Sequence, residues 1–199
     1  DLRAQLLDAD VGELDGVVFT HAHADHVHGI DDLRMIVFNL RARLSVWADG
    51  PTRDALLARF GYAFVQPDDS PYPPILNLHA IDGDVTIDGA GGPLTLTPFK
   101  VAHGAAHALG FRVNNVAYLP DVSDISTDTA LALQGLDCWI LAALRRTPHP
   151  SHFHLERSLV WIARIAPRRA ILTNMHIDLD YATLDAETPD HITPAYDGM

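Results

Sequence analysis

The stretch Phe19 to Asp31, FTHAHADHVHGID, constrains this chain more than any other. It places four histidines and an aspartate between His21 and His28. The residues before it, Asp15 to Thr20 (DGVVFT), are a β-branched apolar run that reads as a buried strand. The histidines therefore begin where a strand ends. His21, His23, Asp25 and His26 follow the pattern H-x-H-x-D-H. Neutral imidazole and carboxylate are good ligands for Zn²⁺, Mn²⁺ or Fe²⁺. A histidine pair two residues apart suits an extended strand end, which points both rings to one side. A continuous helix would spread residues 21, 23 and 26 around its circumference. Asp25 and His26 are expected past a bend, where they can serve a second ion. His28 fits none of this spacing and is expected beside the site or exposed. The competing reading, a histidine-rich surface loop, leaves the buried strand before the motif and Gly29 after it unexplained.

A chain of 199 residues is enough for one well-buried domain and short for two, so residues 1–199 are expected to form a single domain. No apolar run approaches the ~18 residues that a membrane span needs. The net charge of −12 argues against a general phosphate-binding surface for DNA or RNA. A local positive centre, such as a metal pair, can still attract an anionic substrate. The lone cysteine, Cys138, excludes an internal disulfide and is expected as a small core residue in LDCWILAAL. That fits a reducing compartment, and the expected location is cytoplasmic.

Leu2, Leu6 and Leu7 predict a short helix over Asp1 to Asp8. Asp31 and Asp32 read as cap and first turn of a helix, DLRMIVFNLRA. LSVWAD is a strand, and PTRDALLARFG a helix with Pro51 at its first position and Gly61 past its end. After the proline-rich loop QPDDSPYPP, the runs ILNLHAI, DVTIDG, LTLTPFKVAH, LGFRVNN and VAYLPD read as a β-meander. The last third alternates again: helix STDTALALQ, strand LDCWILAAL, amphipathic helix LERSLVWIARIAP, strand RAILTNMH. The end, PAYDGM, shows no closing element. Alternation at both ends around a run of strands predicts an α/β fold of sheets covered by helices.

Four local donors do not complete two coordination shells. His103 (VAHGAAHALGF), Asp121 (VAYLPDVSD) and His176 (AILTNMHIDLDY) each follow an apolar strand, as His21 does. A carboxylate at Asp121 can bridge two ions, one on each oxygen. The ordered set His21, His23, Asp25, His26, His103, Asp121 and His176 resembles the dinuclear site of the metallo-β-lactamase superfamily, over most of the chain. The resemblance implies an αββα sandwich with the site at one edge of two sheets. It implies that His21, His23, His103 and Asp121 hold one ion, and that Asp25, His26, Asp121 and His176 hold the other. The lactamases themselves use Cys at the position of Asp121. HGIDDLR, HALGFRV, YLPDVSD and TNMHIDLDY look most like the branch of phosphoribosyl 1,2-cyclic phosphate phosphodiesterases, near the tRNA 3′-processing endonucleases. Chains of that branch begin with further β-strands, so an N-terminal piece is expected to be lacking before Asp1.

The resemblance implies two divalent ions, Zn²⁺ or Mn²⁺ with Fe²⁺ open, and a metal-bridging hydroxide attacking phosphorus in line. It also implies a histidine general acid within TPHPSHFHLERSL. His152, at the turn into the helix, is preferred to His154, with His149 third. His79, His107 and His191 are expected not to be ligands: His79 sits mid-strand in LNLHAI, and for His107 the stretch HGAAH lies between strands rather than on a helix. Asp124 and Asp178 are candidates to orient ligand imidazoles or to cap turns. Arg34 and Arg112 are weak candidates for substrate phosphate. The leading function is a phosphodiesterase acting on a small anionic cyclic phosphate or nucleotide-like ester, with a homodimer left open. The alternatives are an RNA 3′-end endonuclease, a lactonase or thioesterase, and a non-catalytic metal-binding accessory protein. A tRNA-gripping arm is missing from the sequence, and the −12 charge also weighs against the endonuclease.

Overall fold

The computed structural model describes residues 1–199. The chain divides into two compact units, residues 1–94 with Gly198, and residues 95–197 with Met199. Each has its own apolar core.

Unit 1 opens with α1 (Leu2–Asp8), capped by Asp1, whose carboxylate accepts from the Ala4 amide at 2.8 Å. Strand β1 (Val17–Val18) is shorter than its apolar run suggested. It pairs in parallel with β2 (Leu44–Ala48), and β2 pairs in parallel with β3 (Leu76–Ala80). β3 therefore belongs to this parallel sheet and not to the meander. Between β1 and β2 come a single helical turn, α2 (Ala24–Val27), a 3₁₀ turn over His28–Asp32, and α3 (Leu33–Leu40). Val27, Ile30, Leu33 and Ile36 are buried against Val46, Leu56 and Leu76. Truncating one such side chain to Ala costs about 2–5 kcal/mol. Gly29 lets α1 approach this turn, because a Cβ there would meet the Leu2 Cβ at 2.8 Å.

Two expectations fail locally in this unit. Asp32 occupies the N-cap position of α3 without a capping bond, and instead accepts two hydrogen bonds from Arg3 at 2.7 and 3.0 Å. Asp31 accepts from the Tyr62 hydroxyl. Helix α4 (Gly50–Phe64), capped by Asp49, runs through Gly61 after a kink at Phe60 (φ −127°, ψ 30°). Burial of Ala63 and Phe64 favours the extra turn over the stop that glycine signalled. Strand β4 (Val85–Gly89) ends the unit and neighbours β5 (Gly92–His103), whose first residues lie in unit 1.

Unit 2 is built on a sheet ordered β10-β9-β8-β7-β6-β5. β5, β6 (Ala106–Val113) and β7 (Val116–Leu119) are antiparallel neighbours. β8 (Cys138–Ala142), β9 (Arg169–Thr173) and β10 (Ile192–Pro194) then add in parallel. α5 (Thr127–Ala132) is capped by Ser126. α6 (Leu155–Ile165) buries Leu155, Ser158, Trp161, Ile162 and Ile165 on one face. The Ser158 hydroxyl, fully buried, donates to the Ala142 carbonyl at 2.7 Å and ties α6 to β8. Trp139, Leu141, Phe153 and Leu172 lie at the centre of the core, with no exposed surface. Cys138 is half-buried, and burial pushes its thiol upward. α7 (Tyr181–Glu187), capped by Asp180, leads into β10.

Candidate metal centre

In unit 1 the motif leaves β1 through Phe19, whose amide still bonds the Trp47 carbonyl at 2.8 Å. His21 is buried, and its Nδ1 lies 3.1 Å from the Thr20 hydroxyl. The extended residue His23 (φ −67°, ψ 154°) ends the strand-like segment and starts α2. The expected bend is therefore at His23–Ala24, and a turn of helix, rather than a loop, carries Asp25 and His26. Three imidazoles gather here. The His21 ring centroid is 4.6 Å from that of His23 and 4.3 Å from that of His26. Asp25 Oδ2 stands 3.2 Å from His26 Nε2. His28 lies on the following turn, exposed and edge-on to Phe60 at 6.0 Å.

In unit 2 the donors come from strand ends far apart in sequence. His103 ends β5 and Asp121 follows β7, and both are buried. His103 Nδ1 is 2.7 Å from the Ser151 carbonyl. A carbonyl only accepts, so Nδ1 carries a proton, and Nε2 is the ring nitrogen turned outward as a ligand atom. Nε2 faces Asp121 Oδ2 at 3.2 Å. Ligands bound at about 2.0–2.1 Å in a tetrahedron stand about 3.3 Å apart. Donor type, burial and spacing of this pair therefore fit a divalent cation.

Gly104 makes the Ser151 contact achievable. Its φ is +63°, and a Cβ there would meet the Ser151 Cβ at 2.9 Å. Asp121 Oδ1 accepts from the Asn174 amide. His152 Nδ1 is 3.6 Å from the same oxygen. The His152 ring lies edge-on between His103 (4.7 Å) and His149 (5.0 Å). His154 occupies the N-cap position of α6 and faces Glu156 at 4.0 Å. His176 sits on the exposed loop after β9, its backbone amide bonded to the Leu144 carbonyl at 2.7 Å. Its ring is 3.5 Å from Asp178, whose carboxyl the Arg146 amide holds below the usual carboxylate range.

Other candidates stand elsewhere. Asp124 pairs with Arg157 at 2.8 Å, an ion pair rather than a partner for a ligand imidazole. Arg112 donates to the carbonyls of Asn114, Ala132 and Gln134. Its guanidinium closes the end of α5, so a phosphate-binding role is replaced by a structural one. Arg34 lines a surface cavity of about 440 Å³ with Phe38, Tyr62 and Tyr72. His79 stacks on Trp47 at 5.0 Å and reaches the Ser45 hydroxyl. His107 lies in β6, opposite Ala102. Sequence reading missed Thr20, Ser151 and Asn174. None of the three is marked by sequence spacing.

The β-lactamase superfamily domain matches residues 1–177. The chain belongs to the β-lactamase superfamily. Among solved structures, a diphosphatase of the PhnP family is 30% identical with a TM-score of 0.88, covering 100% of this chain and 74% of that one. The short form of human tRNase Z is 16% identical with a TM-score of 0.65, covering 99% of this chain and 83% of its own, a likeness of fold alone. A protein of Porphyromonas gingivalis named octanoyltransferase is 33% identical over 204 residues, which is all of this chain but 40% of that protein. The mixed α/β metallo-β-lactamase fold and the PhnP branch of the superfamily are thus those expected from the motifs. Its His and Asp side chains are donor types that suit a divalent cation. No helix is long and apolar enough to cross a membrane.

Proposed function

We propose that this chain is a dinuclear metal-dependent phosphodiesterase that cleaves a small cyclic phosphate or nucleotide-like phosphodiester. The observation that carries the reading is the buried contact of His103 Nε2 with Asp121 Oδ2 at 3.2 Å, with the imidazole proton held on Nδ1 by Ser151. By the family resemblance, His21, His23, His103 and Asp121 are assigned to one ion. Asp25, His26, Asp121 and His176 are assigned to the second. With an oxygen donor at position 121 the whole set is N and O, which suits Zn²⁺, Mn²⁺ or Fe²⁺. Bound there, two such ions would supply positive charge for the phosphoryl oxygens and lower the pKa of water toward ~7.

The chain's own residues do the rest. Ser151 fixes the His103 tautomer, and Asn174 holds one oxygen of Asp121. His152 is assigned as the acid that protonates the leaving alkoxide. It lies beside Asp121, its side chain 16% exposed, and two neighbouring rings restrict its rotation. His154, held at the start of α6 beside Glu156, remains the alternative.

The 30% identical relative named a diphosphatase supports phosphoester chemistry over carbonyl chemistry. The same relative favours one second reading, hydrolysis of a diphosphate linkage. Acyl transfer is not proposed, because that name belongs to a protein of which this chain matches 40%. The test is purified protein loaded with Mn²⁺ or Zn²⁺ and offered bis(p-nitrophenyl) phosphate, a five-membered cyclic ribose phosphate, a nucleoside diphosphate ester, a lactone and precursor tRNA. Turnover of the phosphodiesters is expected. Turnover of the lactone alone, or of none with metal bound, contradicts the proposal.

A further inference from the structure

Asn174 follows β9 and is one of five non-glycine residues with positive φ, at 55°. Asparagine tolerates this left-handed conformation better than other side chains. Its part-buried amide nitrogen points at two acceptors, the Pro120 carbonyl at 3.4 Å and Asp121 Oδ1. Neither partner can donate when Asp121 is ionised, so the group facing them is the NH₂ and not the amide oxygen. The two contacts clamp the end of β7 and fix the rotation of the Asp121 carboxylate. With Oδ1 held by Asn174, Oδ2 is the oxygen that faces His103 Nε2 at 3.2 Å. Each carboxylate oxygen has about two acceptor directions. Oδ1 can therefore keep the amide bond and still offer a lone pair to an ion.

We infer that Asn174 is the positioning residue for Asp121: its amide sets the carboxylate so that each oxygen is presented to a different ion. This rests on the dinuclear reading above. The left-handed turn brings the amide of β9 onto the carboxylate after β7, two strands away in the sheet, a relation that sequence spacing does not reveal.

Two variants test it. Asn174→Gly keeps the left-handed turn and removes the amide. Asn174→Asp keeps size and turn tolerance but has no donor at neutral pH. Zn²⁺ bound per chain and its affinity are read by equilibrium dialysis with elemental analysis and by competition with a chromophoric chelator. The visible absorption of the Co²⁺-loaded proteins reports ligand geometry. In wild type two ions per chain are expected. In Asn174→Gly the weaker ion should bind about 10–100-fold less tightly, with an altered Co²⁺ spectrum. The thermal midpoint of the metal-free variant should stay close to wild type. Asn174→Asp should fail to restore the wild-type spectrum and affinity, whereas a merely structural turn residue would be rescued by it. Should the Gly variant not fold, the Asp variant carries the test. Wild-type affinity, stoichiometry and spectrum in either folded variant overturn the inference. A wild-type chain that binds no ion overturns the dinuclear reading instead.

Discussion

In unit 1 the candidate ligands lie between His21 and His26, and His23 and Asp25 are exposed. In unit 2 they are spread from His103 to His176, and the central pair, His103 and Asp121, is buried. The first group depends on one strand end and one helical turn. The second depends on the register of a sheet and on two loops that deliver the Ser151 carbonyl and the Asn174 amide. Exposed donors such as His23 and Asp25 can stay in water until an ion arrives. Buried donors must have their tautomer and rotation fixed beforehand, since an unsatisfied buried polar group is costly. Substitutions at the buried donors His21, His103 and Asp121 should therefore act on both metal binding and folding, and those at the exposed His23 and Asp25 on metal binding alone.

The largest effect is expected at the buried carboxylate. Asp121→Ala should lower the metal content from two ions to one or none and abolish phosphodiester turnover, both readable on one purified sample. Two ions retained by elemental analysis would remove Asp121 from its bridging role. Next comes His152→Ala, which should keep both ions and lose about 10²–10⁴-fold in kcat on esters with poor leaving groups. The loss on a p-nitrophenyl ester should be much smaller, because that leaving group needs no proton. Normal turnover on poor leaving groups would move the acid role to His154.

A smaller effect on the same half should come from the backbone. Gly104→Ala forces a side chain into φ +63° and against Ser151. The strain alone costs about 1–2 kcal/mol, measurable by denaturant unfolding. Displacing the Ser151 carbonyl should also weaken metal binding about 10–100-fold. A variant as stable and as tight as wild type would show that the His103 tautomer needs no such support. The smallest effect belongs to unit 1. His28→Ala should leave metal content and turnover unchanged, since His28 faces Phe60 outside the group of three rings. A lost ion there would mean that the motif extends one histidine further than its spacing indicates.

What sequence reading reached follows the same division. The clustering of His21, His23 and His26 was legible because its geometry is local, and the expected bend is made by a helical turn. That His103, Asp121 and His176 follow strand ends was legible from the apolar runs before them. Ser151 and Asn174 were not, because a backbone carbonyl has no sequence signature and the Asn174 contact depends on which strands are neighbours. The run to Phe64 in α4 was hidden because Gly61 signals a stop, while buried Ala63 and Phe64 decide otherwise. Helix α7 was overlooked although Asp180 and Thr183 mark its start, since Leu184 is its only buried residue and apolar periodicity is weak there.

The most direct measurement pairs stoichiometry with turnover on one preparation of the wild-type chain. Elemental analysis should give two Zn²⁺ or Mn²⁺ per chain, and the loaded protein should hydrolyse bis(p-nitrophenyl) phosphate while the chelated protein does not. Two bound ions with no phosphodiester turnover would contradict the chemistry proposed, and no bound ion would contradict the centre itself.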